Sequence, residues 1–589
     1  MKRISSKLLL ALSLLMSVNA CTKKKDSDAK SEDGRKVFQH LRTSAERSLD
    51  PMGQFDQASA QVVGLVYDTL LQYSYLKRPY TLEPNLLSEM PTKQKDNKTY
   101  IFKIRKGVFF HDDAAFPGGK GRELKADDVI YSIMRFADSH VNTLSYVLLK
   151  GYVEGLDDFR EISRKQAKGF DYSKFPVSGL KKIDDYTVSV QFTFDNPLAL
   201  FPFAFSGMSM MAKEVVEKYG EDLTKHPIGT GPFYFKKYSR RGKHVLVKNP
   251  RYHQTYPTVG MPGDKEAGLL KDAGKKLPLI DELHLPLIEE TQPAMLKFKK
   301  GQIHWIGMNK DEFNNMAVKN PDGSFALKGD WAKKFEMYTE PYVSSFYMKF
   351  NMSDKLVGQN KALRQAIALG MDRQGYIDLM QNGRGIPLNS IVPVTINGNE
   401  KLTDAQWYGY DKELAKKKLA EAGYPGGKGL PPITIEYRAT SKDVRQQFEF
   451  YRSNWADLGI KVNANFQTFS NFLKKTESGN FQIADAGWGA DYPDAENFYQ
   501  LLYSKNKAPG PNDGNFSNKK YDELYEKSRF MVNGPERFAI FKQMNAIIKD
   551  EVPMLLIYNP LSFGLYQPSV ENMKRNMMVE FPYMYLNLK

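Results

Sequence analysis

Residues 487–498 read GWGADYPDAENF, directly after FQIADA, an apolar and small run that predicts a strand entering a core. Two side chains here could do chemistry, the indole of Trp488 and the carboxylate of Asp491. Their neighbours Ala486, Gly487 and Gly489 are almost bare backbone. Bare backbone lets another molecule come close. A carboxylate beside it offers a charge to a cation, and an indole offers a flat apolar wall. Taken alone, Asp491 is also the residue type that a turn ahead of Tyr492-Pro493 selects, and Trp488 suits a core as well as a pocket.

Other reactive patterns are thin. Asp491 with Asp494, or Asp494 with Glu496, could in principle do the two-carboxylate work of a glycosidase, where separation sets the outcome. No GxSxG frame or Ser-His-Asp order accompanies them. His111-Asp112-Asp113, next to Arg105 and Lys106, suggests metal or acid–base chemistry, but a lone His beside two Asp more often forms a hydrogen-bonded turn, and we assign these residues to the scaffold. The eight histidines lie nine or more residues apart, so HxxxH and HExxH zinc motifs are absent. Gly229-Thr230-Gly231 lacks the GxxxxGK[ST] frame of a phosphate loop. We expect no metal and no cofactor.

The chain has 589 residues, enough for two or more domains, and 41% of them are hydrophobic. Aromatics reach 13%, with 33 Tyr and 36 Phe; they suit large cores and also surfaces that hold ligands. Lys2, Arg3 and Lys7, then LLLALSLLM, then SVNAC form a charged, apolar and small-residue series typical of a secretory signal. The apolar run is shorter than the ~20 residues that span a bilayer. Its end resembles a bacterial lipobox, with Val18 and Ala20 before Cys21 and a less usual Asn19. That resemblance makes Cys21 the lipidated first residue of the mature chain. Cys21 is also the sole cysteine, which excludes an internal disulfide and a cysteine metal site. Residues 22–34, TKKKDSDAKSEDG, are polar and read as a flexible tether. The net charge of +16 includes three from residues 1–20, so the chain from Cys21 onward carries +13. In an exported chain with interspersed acids, this charge points to anionic envelope polymers or phospholipid rather than nucleic acid.

Strands and helices alternate along the chain, which predicts α/β or α+β domains. YTVSVQFTF, 186–194, alternates with period two, as does TYIFKIRKG. KADDVIYSIMRFAD carries acids in its first turn and apolar residues on one face. ELAKKKLAEAGYPGG predicts a helix ended by Gly423 and Pro425. LRQAIALGMD and ERFAIFKQMNAII predict two more.

Several of these blocks, in this order, resemble the solute-binding proteins of peptide-type ABC importers, bacterial extracellular solute-binding protein family 5. They are SLDPMGQFDQASAQVVGLVYDTLLQY, LEPNLLSEM with TYIFKIRKGVFFHDDAAF and LKADDVIYSIMRF, HPIGTGPFYFKKY, LRQAIALGMDRQGYI, DKELAKKKLAEAGYPGGKGLPPITIEY and GWGADYPDAENF. Together they cover about residues 48–560. The stretch 256–278 is longer than the family spacing and reads as a surface excursion that could modify a rim.

The resemblance implies an α/β, bilobed fold of the periplasmic-binding-protein type II class, in its large peptide-binding form with an extra subdomain in lobe I. The implied organisation is a signal peptide 1–20, a lipidated tether 21–34, and lobe I in three parts, 35–72, 207–342 and 555–589. The inserted subdomain would be 73–206 and lobe II 343–554. It implies a monomeric, non-enzymatic receptor on the periplasmic face of the cell envelope, lipid-anchored through Cys21. That receptor would close on a peptide by hinge motion and pass it to ABC permease transmembrane subunits, with no nucleic-acid partner. A buried peptide zwitterion needs a partner for each charge and backbone groups for its amides. By resemblance Asp491 anchors the ligand ammonium and Trp488 lines a side-chain pocket; Ala486, Gly487 and Gly489 pair with ligand amides, and Tyr492 and Asp485 belong to the same site. Asp485 departs from peptide binders that place a basic residue there. Either the carboxylate partner lies elsewhere, or the ligand is longer, or it carries a basic side chain; Asp485 could also pair with a scaffold lysine. An exported hydrolase, a murein-peptide-binding envelope lipoprotein, and family members taking nickel, haem, opines or oligosaccharides remain the alternatives.

Overall fold

The computed structural model describes residues 34–54, 56–402, 407–579 and 581–589. The signal segment and Cys21 lie outside the described residues. The expected local elements form where their patterns lie. The alternating segment is the strand Thr187–Gln191, with Val188 and Val190 wholly buried. The segment with acids in its first turn is the helix Ala126–Ala137. The helix Lys412–Glu421 is followed by Gly423 at φ +93°, a left-handed position that favours glycine.

Three sheets organise the molecule. One runs Val37–Gln39, Glu282–Pro286, Lys243–Lys248, Phe233–Lys237, with the first pair parallel and the rest antiparallel. A second, antiparallel, runs Thr92–Lys93, Thr99–Lys103, Thr187–Gln191, Leu180–Asp184. The third has eight strands and is built on Met554–Tyr566, a 13-residue strand. Its first half pairs with Ser344–Phe350 and its second half with Glu336–Pro341, so two strands pass side by side from one lobe into the other. The wholly buried Asn559 clips the crossing: its Nδ2 donates to the carbonyls of Tyr342 (2.8 Å) and Ser344 (2.9 Å), and its Oδ1 accepts from Val394 N at 3.2 Å.

The cores divide at the same place. One core is formed almost entirely by residues between 343 and 558, around Met348, Ile435, Trp455 and Phe541. Another draws on residues 38–305 and on the C-terminal segment, through Val570, Tyr583 and Leu586. Residues between 73 and 206 supply many members of this core, so they share one interior with the segments on either side of them. The stretch 256–278 is seated on the C-terminal segment. Tyr256 is buried against Tyr75 and Tyr585, Asp264 accepts from Lys574 at 2.7 Å, and the buried Asp272 accepts from Asn572 (2.8 Å) and Asn587 (2.9 Å).

Candidate functional site

The strand Ile483–Gly489 pairs along its whole length with Ser344–Phe350. On its other side it meets the parallel strand Ile433–Tyr437 only at Ile483 and Ala484. Among the described residues, no strand pairs with the outer edge of 485–489. This is a free edge inside the fold, the arrangement to which an extended ligand adds as a further strand. Alternation sorts the side chains: Ala484 and Ala486 are buried, whereas Asp485, Gly487 and Gly489 share the more open face. A Cβ at Gly487 would crowd the Phe346 ring at 3.0 Å, while a Cβ at Gly489 would meet nothing within 4 Å.

Asn497 links the two residues first singled out. This wholly buried amide accepts from the Trp488 indole N–H at 2.9 Å and from the backbone N–H of Asp491 at 3.0 Å, and donates to the Asp491 carboxylate at 3.0 Å. One side chain therefore fixes both the indole and the carboxylate. Asp491 is exposed to solvent, and among the described residues no cation figures among the groups that act on its carboxyl. The surrounding protein nevertheless raises its carboxyl above the usual range, opposed by the Asn497 hydrogen bond. The charge of Asp491 bears on Tyr73, from the early part of the chain, whose hydroxyl is pushed up by burial and then by that charge. Tyr492 also meets an earlier segment: its ring stacks on Phe201 at 5.5 Å and 13°, and its hydroxyl donates to Glu496.

Asp485 has an internal partner. Arg438, just after the strand Ile433–Tyr437, approaches it at 3.2 Å. Beside this pair Lys349 binds Asp513. Burial raises the Asp485 carboxyl, and Arg438 and Lys349 oppose the rise; burial lowers Lys349. The Arg438 guanidinium lies 5.0 Å from the ring centroid of Phe346, the residue opposite Gly487. From Phe346 an aromatic row continues through Tyr558 (5.3 Å), Tyr376 (5.7 Å) and Tyr451 (5.2 Å).

The other acids have scaffold tasks. Asp494 is gripped by both terminal nitrogens of Arg537 at 2.8 Å, with both residues buried. Glu496 accepts from the hydroxyls of Tyr492 and Tyr525. His111 is buried against the Gly231 carbonyl at 2.9 Å, Asp112 pairs with Lys120 and Arg251, and Asp113 accepts from Tyr219 and contacts His226. A separate cavity of about 630 Å³ lies on the hinge side, lined by residues of both lobes including Ser44, Trp305, Tyr338, Tyr342 and Arg384. Asp485–Asp491 does not line it.

Residues 81–510 match the family described as bacterial extracellular solute-binding proteins, family 5. The chain belongs to this family. It is 27% identical over 491 residues to the dipeptide-binding protein of Escherichia coli, covering 81% of each chain. It is 25% identical over 518 residues to heme-binding protein A of Haemophilus influenzae, covering 86% of this chain and 84% of that one. Its fold is similar to that of the ABC transporter-associated periplasmic binding protein DppA of Helicobacter pylori in complex with peptide STSA, with a TM-score of 0.67 and 22% identity over 94% of this chain and 98% of that one. The family-5 protein is thus a solute-binding protein with the bilobed α/β fold. The structure places the expected Trp488, Asp491, Asp485 and Tyr492 next to Asn497, Arg438 and Phe201, three residues the sequence reading does not single out. Asn497 stands within the quoted DAENF, and its spacing of six from Asp491 was the available signal; Arg438 and Phe201 come from distant segments.

Proposed function

We propose that this family-5 protein captures peptides between its lobes and delivers them to the membrane permease of an ABC importer, with no chemical reaction and no cofactor. The observation that carries this reading is the Asp491 carboxylate, held by Asn497 at the end of an open strand edge and, among the described residues, without a cationic partner. A peptide amine supplies the missing charge, and the free edge at 485–489 supplies donors and acceptors for the amides. Ala486, Gly487 and Gly489 leave room for that backbone, and Trp488 walls one side. Tyr492 acts through its stack on Phe201, closing the lobes beside the amine. The acids that a hydrolase would need, Asp494 and Glu496, are already committed to Arg537 and to two tyrosines.

In this reading the lobes are 35–72, 207–342 and 555–589 on one side, with 73–206 inserted, and 343–554 on the other. The protein works as a monomer on the periplasmic face of the envelope, with no nucleic-acid partner. Native mass spectrometry of protein purified without denaturation is expected to show co-purifying peptide masses. Added peptides should raise the melting temperature as RT ln(1 + [L]/Kd), without product. Turnover of a peptide or glycan, or no shift with any peptide, rejects the reading. Cys21 anchors the mature chain through lipid, so Cys21→Ser should leave the protein soluble and without acyl mass. Continued membrane fractionation of that variant counts against the anchor.

A further inference from the structure

We propose that this receptor reads the amino end of its ligand and leaves the carboxyl end unread, because Asp485 already neutralises Arg438, the guanidinium standing at that end of the ribbon. The favoured ligands are peptides whose carboxyl terminus is blocked or continues past the ribbon. The inference rests on the peptide-capture reading and goes beyond it to ligand class.

The two ends of the ribbon are built differently. At one end, among the described residues, no cation figures among the groups that act on the Asp491 carboxyl. At the other, both cations carry protein carboxylates: Arg438 pairs with Asp485 at 3.2 Å, and Lys349 pairs with Asp513. These four side chains sum to zero charge, and all are largely withdrawn from water, with side-chain exposures of 28% for Arg438, 14% for Asp485, 12% for Lys349 and 17% for Asp513. Arg438 reaches back over Phe346, which faces Gly487. Gly487 lies in the strand that ends at Gly489, and the chain bends at Asp491. A short peptide with its amine on Asp491, running along the free edge of 485–489, comes beside Arg438 farther along that edge. A terminal carboxylate arriving there would share one guanidinium with Asp485, placing two like charges together in a poorly solvated cleft. A carboxamide, or a further peptide bond, brings a neutral dipole instead. Asp485 is thus the repulsive element that sets specificity.

The test is competition by native mass spectrometry. The mature protein is offered an equimolar mixture of tri-, tetra- and pentapeptides, each as free acid and as C-terminal amide, with N-acetylated copies as a control. The wild type is expected to take the amide in preference to the free acid of the same sequence, by about threefold or more, and to reject the acetylated copies. Asp485→Asn, which releases Arg438, should shift the ratio toward free acids by about tenfold or more. Equal uptake of acid and amide by the wild type, or a preference for free acids, overturns the proposal, as does a folded Asp485→Asn variant with an unchanged ratio. Should that variant not fold, the wild-type ratio decides alone. Binding of no peptide in either form would instead sink the peptide-capture reading, a result distinct from acid-selective binding.

Discussion

Asp491→Asn is expected to weaken capture of a peptide with a free amine by about ten- to a hundredfold, the range of 1.5–3 kcal/mol for a hydrogen bond to a charged group. Asparagine keeps the shape and the contact with Asn497 but not the charge. The same change should slightly raise the melting temperature of the empty protein. The surrounding protein raises the Asp491 carboxyl, so in the folded state its ionised form is disfavoured. The folded chain then binds this proton more tightly than the unfolded one. Its ionisation costs the fold nothing below the unfolded pKa and costs it fully above the raised folded value. For binding the sign is opposite. The amine needs the carboxylate, so affinity should be flat above the raised carboxyl range and fall as pH drops through it, whereas an N-acetylated peptide should show no such dependence. Calorimetry across pH checks both. An unchanged affinity in the variant would falsify the anchor.

The second large effect concerns stability. Arg537 is 1% exposed and binds both oxygens of Asp494; it also donates to the Ser528 carbonyl at 3.0 Å and to Asn533 at 2.8 Å, and it lies over Phe541. Asp494 in turn accepts from the backbone N–H of Glu496 at 2.8 Å, which ties the ion pair to the turn between Asp491 and Asn497. Arg537→Met leaves a buried carboxylate unpaired, and the expected loss is about 3–5 kcal/mol in urea unfolding. Adding Asp494→Leu should recover much of it, because an apolar pair does not require desolvated charges to find each other. A loss below about 1 kcal/mol in the single variant would show that the pair contributes little.

What could be read from the chain was local. The alternation in Thr187–Gln191, the glycine stop at Gly423 and the bare backbone around Trp488 and Asp491 are all properties of neighbouring residues, and each has its expected structural counterpart. What escaped depends on distant segments meeting. Nothing near Asp485 announces Arg438, which comes from the adjacent parallel strand. Nothing near Tyr492 announces Phe201, which comes from a far earlier segment. Asp494 and Glu496 look alike in sequence to Asp491, yet one is spent on Arg537 and the other on two tyrosines. Only the packed fold separates a committed carboxylate from an available one. His111-Asp112-Asp113 is the opposite case: its types suit a reaction centre, the sequence reading assigns it to the scaffold, and its partners make it the expected hydrogen-bonded corner.

The shared amide of Asn497 joins the Trp488 indole to the carboxylate at Asp491 through a single side chain. Any charge that settles on that carboxylate changes the electric field along the indole dipole next to it. Under the proposed peptide reading, binding at Asp491 is therefore expected to shift the emission of Trp488, which difference spectra against Trp488→Phe would separate from the other four tryptophans.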